Sequence, residues 1–241
     1  MYREIVPSKR LSCVIDSFWM YRNKEEPESF KVLPDSCIDL IFDLKRNIGF
    51  ISGIMSTYQI RELEGDCHLI GIRLKAESFY SLTRIPPNEI KNLRTEIGNV
   101  FSKQDVHTIS PLYSLKSIHD KVSFLEGFVA KKLKDSYQHK DGLAISIAKK
   151  IKILKGNLTI EDLATAHGVS LRQAERRFKN AIGLNQKEYA RVIRFVHARK
   201  AISTSPKSSL LEIAFDSGFF DHSHMTYEFK RISGESPSSF R

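Results

Sequence analysis

Between Val14 and Leu74 apolar and polar positions alternate in short runs: Ser17-Phe-Trp-Met-Tyr21, Phe30-Lys-Val-Leu33, Ile38-Asp-Leu-Ile-Phe-Asp-Leu44 and Leu69-Ile-Gly-Ile-Arg-Leu74, with turn signals between them. A period near two predicts strands, and so many short ones predict a small antiparallel sheet or barrel. The period then changes. Ala76 to Leu82 reads as a short helix stopped before Pro86-Pro87. From Pro111 to Asp135, Leu115, Ile118, Val122, Leu125, Phe128, Val129 and Leu133 recur at helical spacing. That stripe is read first as packing within its own domain and second as a dimer seam. Lys131 to Gly142 is polar and predicts a linker, and everything after it reads as helix. The expected fold class is α+β: a β-rich domain with helices over residues 1–140, and an all-α domain over 141–241.

The all-α part repeats itself. At an offset of fifty, Leu163-Ala164 returns as Ile213-Ala214 and Gly168-Val169 as Gly218-Phe219; after one inserted residue, Phe178-Lys179, Gly183 and Tyr189 return as Phe229-Lys230, Gly234 and Phe240. Each unit reads as helix, tight turn, helix. In the first, Thr159 caps a helix with Glu161 and Asp162 in its opening turn, where the macrodipole favours acids, and Leu163 and Ala164 face inward. Gly168 supplies the positive φ of the turn, and Ser170 caps a helix from Leu171 to about Ile182. Leu171, Ala174 and Phe178 are expected inside, with Arg172, Gln173, Glu175, Arg176, Arg177 and Lys179 outside. The second unit places Leu210, Ile213, Ala214 and Phe215 on its first helix, Gly218 at the turn, Asp221 as cap and Met225 and Phe229 inside, leaving His222, Ser223, Thr226, Tyr227, Lys230 and Arg231 outside. Asn185 to about Ser203 predicts a joining helix of about 27 Å, a length suited to holding two such units about one DNA turn, roughly 34 Å, apart. The domain is thus two helix-turn-helix motifs joined by a linker helix.

Charge follows the same division. Residues 142–241 carry 17 Lys and Arg against 9 Asp and Glu, whereas residues 1–141 carry 21 against 19. A basic excess confined to one end suits a polyanion-binding module. Three widely spaced cysteines, Cys13, Cys37 and Cys67, are expected as reduced, buried thiols. The chain opens without a signal-like apolar run, and nowhere do 18 apolar residues run together, so a cytoplasmic protein is expected, with no membrane partner.

Gly218-Phe219, Asp221, Ser223-His224-Met225, Phe229-Lys230-Arg231, Gly234, Ser236-Pro237 and Phe240-Arg241 resemble the signature of AraC/XylS-type transcription regulators; Ile160 to Gly183 and Tyr189, Arg194, Ala198 and Arg199 are similar to the same family. The resemblance covers about residues 145–241. It implies base contacts from Arg172, Glu175 and Arg176 in the first recognition helix and from His222, Ser223, Thr226 and Tyr227 in the second. Arg176 is the foremost candidate because a guanidinium can bridge guanine O6 and N7. Ser170, Gln173, Arg177, Lys179, Arg191, His224, Lys230 and Arg231 are the expected phosphate contacts. Tyr227 stands where many family members carry Arg. Leu33 to Phe42 and Gly71 to Leu74 are similar, more loosely, to β-rich sensor domains fused to such regulators. Asp35, Asp39 and Arg73 are the first groups to consider there for a ligand pocket; an internal salt bridge is the alternative. By the resemblance activation is expected over repression, with double-stranded DNA and RNA polymerase as partners and a small-molecule effector and a second copy of the chain as further candidates.

No cofactor or metal is called for. His222 and His224 are two apart and diverge on a helix. An enzyme is the rival class, but residues 1–141 hold only scattered His68, His107, His119 and His139, without a metal-ligand spacing, a nucleophile elbow or a phosphate-binding glycine loop. A third reading makes the first domain a purely assembling module.

Overall fold

A computed structural model describes residues 1–23, 27–63, 65–134, 141–158 and 168–241. The chain divides into two compact units. The first comprises Met1–Phe30, Cys37–Ile54 and Ile60–Lys140; the second comprises Asp141–Arg241 together with two short early segments, Lys31–Ser36 and Met55–Gln59.

The first unit is built on a six-stranded sheet from β1 (Tyr2–Ile5), β2 (Ile15–Asn23), β4 (Cys37–Asp43), β5 (Ile48–Ser52), β7 (Cys67–Lys75) and β8 (Arg94–Glu96), in the order β1-β2-β7-β4-β5-β8; β3 (Glu28–Val32) and β6 (Gln59–Leu63) form a separate pair. The pairings within the six-stranded sheet are antiparallel, and register sorts the side chains. Phe18, Ile72 and Leu40 share one face, as do Met20, Ile70 and Phe42 in the next row. All six are buried, each contributing about 1.5–3 kcal/mol by leaving water. The opposite face carries Trp19, Ile41 and Leu69, which cluster with Leu63 of β6, Cys67, Tyr21 and Phe30. Two covered faces explain why β2, β4 and β7 read as nearly unbroken apolar runs. Trp19 lies flat over its cross-strand partner Gly71, where an added Cβ would come within 2.1 Å of the indole, so only glycine fits.

The four strand runs seen in the sequence fall in β2, β3, β4 and β7, and they form an open sheet and a small pair rather than a closed barrel. The edge strands β1 and β8, together with β5 and β6, are too short to stand out as periodic runs. Helix α1 (Ala76–Thr83) ends on Arg84 with φ 64°, and α2 (Lys103–Ile109) opens with a Ser102–Asp105 capping box. The expected helix from Pro111 is corrected: Ser110–Ser114 is a 3-10 turn, Leu115 is extended, and α3 spans Ile118–Lys134. Leu125, Phe128 and Val129 of its stripe are buried, while Ile118 in the first turn is exposed. Lys121 is buried in α3 and donates to the Leu115 carbonyl; burial lowers its pKa. Cys37 and Cys67 are buried thiols, but Cys13 is exposed, against expectation.

The second unit holds α4 (Gly142–Ile153), α5 (Leu171–Ile182), α6 (Gln186–Thr204), α7 (Leu210–Asp216) and α8 (His222–Ser233), closed by a 3-10 turn at Pro237–Phe240. Its core joins Phe195, Ala198 and Ile202 of α6 to Ile213, Met225, Phe229 and Ile232, with Leu33 packed against them. No helix among the described residues is long and apolar enough to cross a membrane.

Candidate nucleic-acid interface

Helix α5 begins on a reciprocal cap: the Ser170 hydroxyl accepts from Gln173 N–H at 3.3 Å, and the Gln173 side chain accepts from Ser170 N–H at 3.4 Å. It ends on Gly183, whose φ of 91° is the left-handed conformation that a C-cap asks for. Ala174, Phe178 and Ile182, spaced by four, form the buried stripe. Subtracting that stripe leaves Arg172, Glu175, Arg176 and Lys179 exposed, and none of them makes an ion pair or hydrogen bond among the described residues. Leu171 was expected inside and is 47% exposed. It is the first helical residue, and its side chain leans back past the helix start instead of onto the stripe. The preceding helix expected from Thr159, with Glu161, Asp162, Leu163 and Ala164, lies outside the described residues.

Three of the expected phosphate ligands at α5 have another task, Ser170 and Gln173 in the cap and Arg177 in an ion pair. Arg177 grips Asp141 with both arms, Nε to Oδ2 at 2.8 Å and Nη2 to Oδ1 at 2.7 Å. Asp141 also caps α4 by accepting from Ala144 N–H at 3.1 Å, so one carboxylate starts α4 and fixes the back of α5. Desolvation pushes the Asp141 pKa up, but the hydrogen bonds from Arg177 and the backbone outweigh it and hold the carboxyl below its ordinary range. Gln173 is occupied in its cap.

The second motif repeats the packing and changes the surface. Gly218 turns with φ 77°, and a Cβ there would meet the Asn157 side chain at 2.6 Å. Asp221 caps α8, accepting from His224 N–H at 2.6 Å, and His224 Nδ1 accepts from Phe220 N–H at 3.2 Å while its ring packs edge-on to Phe219. His224 thereby closes the turn. Phe215, placed by the sequence among the apolar positions of α7, is 57% exposed, because Ile213 and Ala214 take the inward side of this short helix. Phe178 and Tyr189 meet edge-on at 5.5 Å, and their counterparts Phe229 and Phe240 meet edge-on at 5.8 Å. In each motif an aromatic beyond the C-cap glycine folds back onto the recognition helix.

On α8, His222, Ser223, Tyr227, Lys230 and Arg231 are exposed, whereas Thr226 is half-buried. Glu228 is buried between Met225 and Ile232 on the inner stripe, with Arg191 Nε at 3.7 Å and Arg231 Nη1 at 4.0 Å. Both arginines had been expected on phosphates. Burial lowers the pKa of the neighbouring Arg194, with Glu228 opposing; Arg194 donates to the Gly156 carbonyl at 2.7 Å. The last carbonyls of α8 are met by the early segments of this unit: Thr57 Oγ1 donates to Arg231 O at 3.0 Å and Tyr58 N–H to Ile232 O at 2.7 Å, with Lys31 ion-paired to Glu235. Glu228 was legible as an anomaly, since it sits three residues after Met225 and four before Ile232.

The three ligand candidates of the β-rich part are not assembled in one unit. Asp39 and Arg73 are cross-strand partners with Nε at 3.6 Å from Oδ1; Trp19 Nε1 donates to Asp39 at 2.7 Å, and Arg73 reaches Glu4 at 2.9 Å. Tyr2 donates to the same Glu4, and burial followed by that carboxylate pushes its pKa up to about 12. Asp35 clusters with the second unit. No group of His, Cys, Asp or Glu among the described residues could hold a metal.

Residues 3–96 match a family model described as a domain of unknown function (DUF6597), and residues 163–241 match a helix-turn-helix domain. The HTH-type transcriptional regulator GlxA of Rhizobium meliloti is 37% identical over 79 residues, 33% of this chain and 24% of that protein. The HTH-type transcriptional activator RhaS of Escherichia fergusonii is 26% identical over 157 residues, 64% of this chain and 53% of that one. The chain thus spans about a quarter and about half the length of these two relatives. Among solved structures, the C-terminal domain of the response regulator AraT from Geobacillus stearothermophilus is 22% identical with a TM-score of 0.40, covering 42% of this chain and 84% of that one. ToxT from Vibrio cholerae is 16% identical with a TM-score of 0.45, covering 100% and 96%.

Proposed function

We propose that this chain, whose residues 163–241 are an AraC-type helix-turn-helix domain, is a transcription regulator that binds specific sequences of double-stranded DNA. The observation that carries the reading is the outward face of α5. Arg172, Arg176 and Lys179 project from a helix fixed at both ends, and no acid among the described residues neutralises them. A major groove accepts an α-helix, and an arginine there can bridge guanine O6 and N7. In this reading Arg172, Glu175 and Arg176 meet bases and Lys179 a phosphate. Helix α8 enters the next groove with His222, Ser223, Thr226 and Tyr227, the tyrosine against a thymine methyl. One copy therefore reads two half-sites about one turn, roughly 34 Å, apart.

Finer assignments extend this reading. The protein activates more than it represses, meets RNA polymerase at its promoters, works in the cytoplasm, and is controlled by an effector or by pairing of copies through the β-rich unit. The test is selection of bound DNA from a random pool, then footprinting. The expected outcome is an asymmetric site covering two successive major grooves per monomer. Binding without sequence enrichment would overturn the reading.

A further inference from the structure

Residues of β4, β5, β7 and β8, with Glu62 and Leu63 of β6, line a cleft of about 370 Å³ in the first unit, near the lower end of the roughly 300–1,000 Å³ typical of small-molecule sites. Its walls include Phe50, Leu63 and Leu69. At its mouth Arg94 lies over the Phe50 ring, 4.1 Å from the centroid. Strand register puts Arg94 opposite Ser52 and Glu96 opposite Phe50, so Arg94 and Glu96 lie on the same side of β8; Glu62 lines the cleft from β6.

The charges here are unmatched in a particular way. Asp43 and Arg46 also line the cleft but satisfy each other, since Asp43 accepts from Arg46 Nη1 at 2.9 Å and from the backbone of Lys45 and Arg46. Arg94, Glu62 and Glu96 make no hydrogen bond or ion pair among the described residues. Stacking desolvates the Arg94 guanidinium and lowers its pKa, against the pull of Asp43; Arg61 is lowered by burial and then by Arg94, so a second guanidinium acts at the same end. A pure anion would be opposed by two carboxylates, and a pure cation by Arg94. A ligand carrying both charges on a short frame answers both, with its apolar part against Phe50, Leu63 and Leu69.

We propose that this cleft binds a zwitterion of the α-amino-acid class with an apolar side chain, its carboxylate on Arg94 and its ammonium between Glu62 and Glu96. The proposal rests on the reading of the β-rich unit as a sensor. In the chain, β6 continues directly from Met55–Gln59, which belongs to the helical unit.

The test uses the full chain. Thermal unfolding and calorimetric titration are run with the common L-amino acids, then with the deaminated acid and the decarboxylated amine of the best binder. At about ten times its Kd, a binding amino acid should raise the unfolding temperature by about 3 °C or more. Each analogue lacking one charge should bind about tenfold or more weakly, as should the variants Arg94→Met and Glu62→Gln/Glu96→Gln, while Arg94→Lys recovers part of the affinity. Circular dichroism of the unliganded variants checks their folding. No response to any amino acid, a deaminated acid that binds equally well, or folded Arg94→Met with full affinity would each overturn the proposal. DNA affinity measured with and without the bound amino acid is the separate arm: binding without change in DNA affinity overturns the sensor reading and leaves the cleft assignment standing.

Discussion

Helices α5 and α8 occupy equivalent places in two copies of one motif, each with a side-chain N-cap, a C-terminal glycine and an aromatic clasp, and present different surfaces. In α5 the stripe facing the core is wholly apolar, so its arginines and its lysine remain outside; only Arg177 is drawn back, to Asp141. In α8 the inner stripe contains the acid Glu228, which pairs with Arg191 and Arg231 while both keep much of their side chain exposed. What is left facing outward is the imidazole of His222, the hydroxyl of Ser223 and the phenol of Tyr227 along the first two turns, with Lys230 and Arg231 exposed only in the last. The packing of a helix-turn-helix is thus separable from its reading surface, and one buried acid gives two of the surrounding arginines a partner within the protein.

The sharpest way to break the equivalence of the two cores is to remove their central rings. Phe178→Ala and Phe229→Ala should each cost about 3–5 kcal/mol in denaturant unfolding. A cost for one under about 1 kcal/mol would show that the two copies are not packed alike.

The difference between the reading surfaces comes next in size. Arg176→Ala should lose about 1–3 kcal/mol on the selected site and relax specificity at one base, whereas Tyr227→Ala should lose less than about 1 kcal/mol. Fluorescence titration on the selected site and on single-base variants measures both, and the reverse ranking would make α8 the principal reader.

Asp141→Ala removes a cap and the partner of Arg177, at about 1–2 kcal/mol of stability. Since Asp141 is depressed when folded, its ionic contribution is complete above the unfolded carboxyl value of about 4 and fades as pH falls through the folded value. Wild type and Asp141→Asn, which keeps a cap, should therefore converge in stability on acidification. A gap unchanged at low pH would remove the ion pair from the account.

The smallest effect separates free from bound cations. Lys179→Ala should reduce the salt slope of DNA binding by about 0.9, and Arg231→Ala by less, because Glu228 already neutralises Arg231.

Much of the helical unit was legible in sequence because its punctuation is local. Ser170, Asp221, Gly183 and Gly234 act within one turn of their own position, and the outward set of α5 follows by subtraction from Ala174 and Phe178. What was hidden depends on pairing across distance. Arg177 is 36 residues from Asp141, and no periodicity connects them. Asp39 and Arg73 were visible as polar residues in apolar strands, but their meeting depends on the register of β4 against β7. Phe50 and Arg94 lie on strands of five and three residues, too short to announce themselves, so the cleft they frame could not be anticipated.

The helical unit takes Leu33, Thr57 and Tyr58 from stretches far upstream of Asp141. A gene fragment coding for the last hundred residues consequently leaves out three of this unit's contacts. Recombination that grafts it behind a foreign sensor would leave Leu33 absent from the core and the closing carbonyls of α8 without Thr57 and Tyr58. Water or the grafted sensor would then have to meet those carbonyls, and the pocket that Leu33 fills would need another apolar side chain.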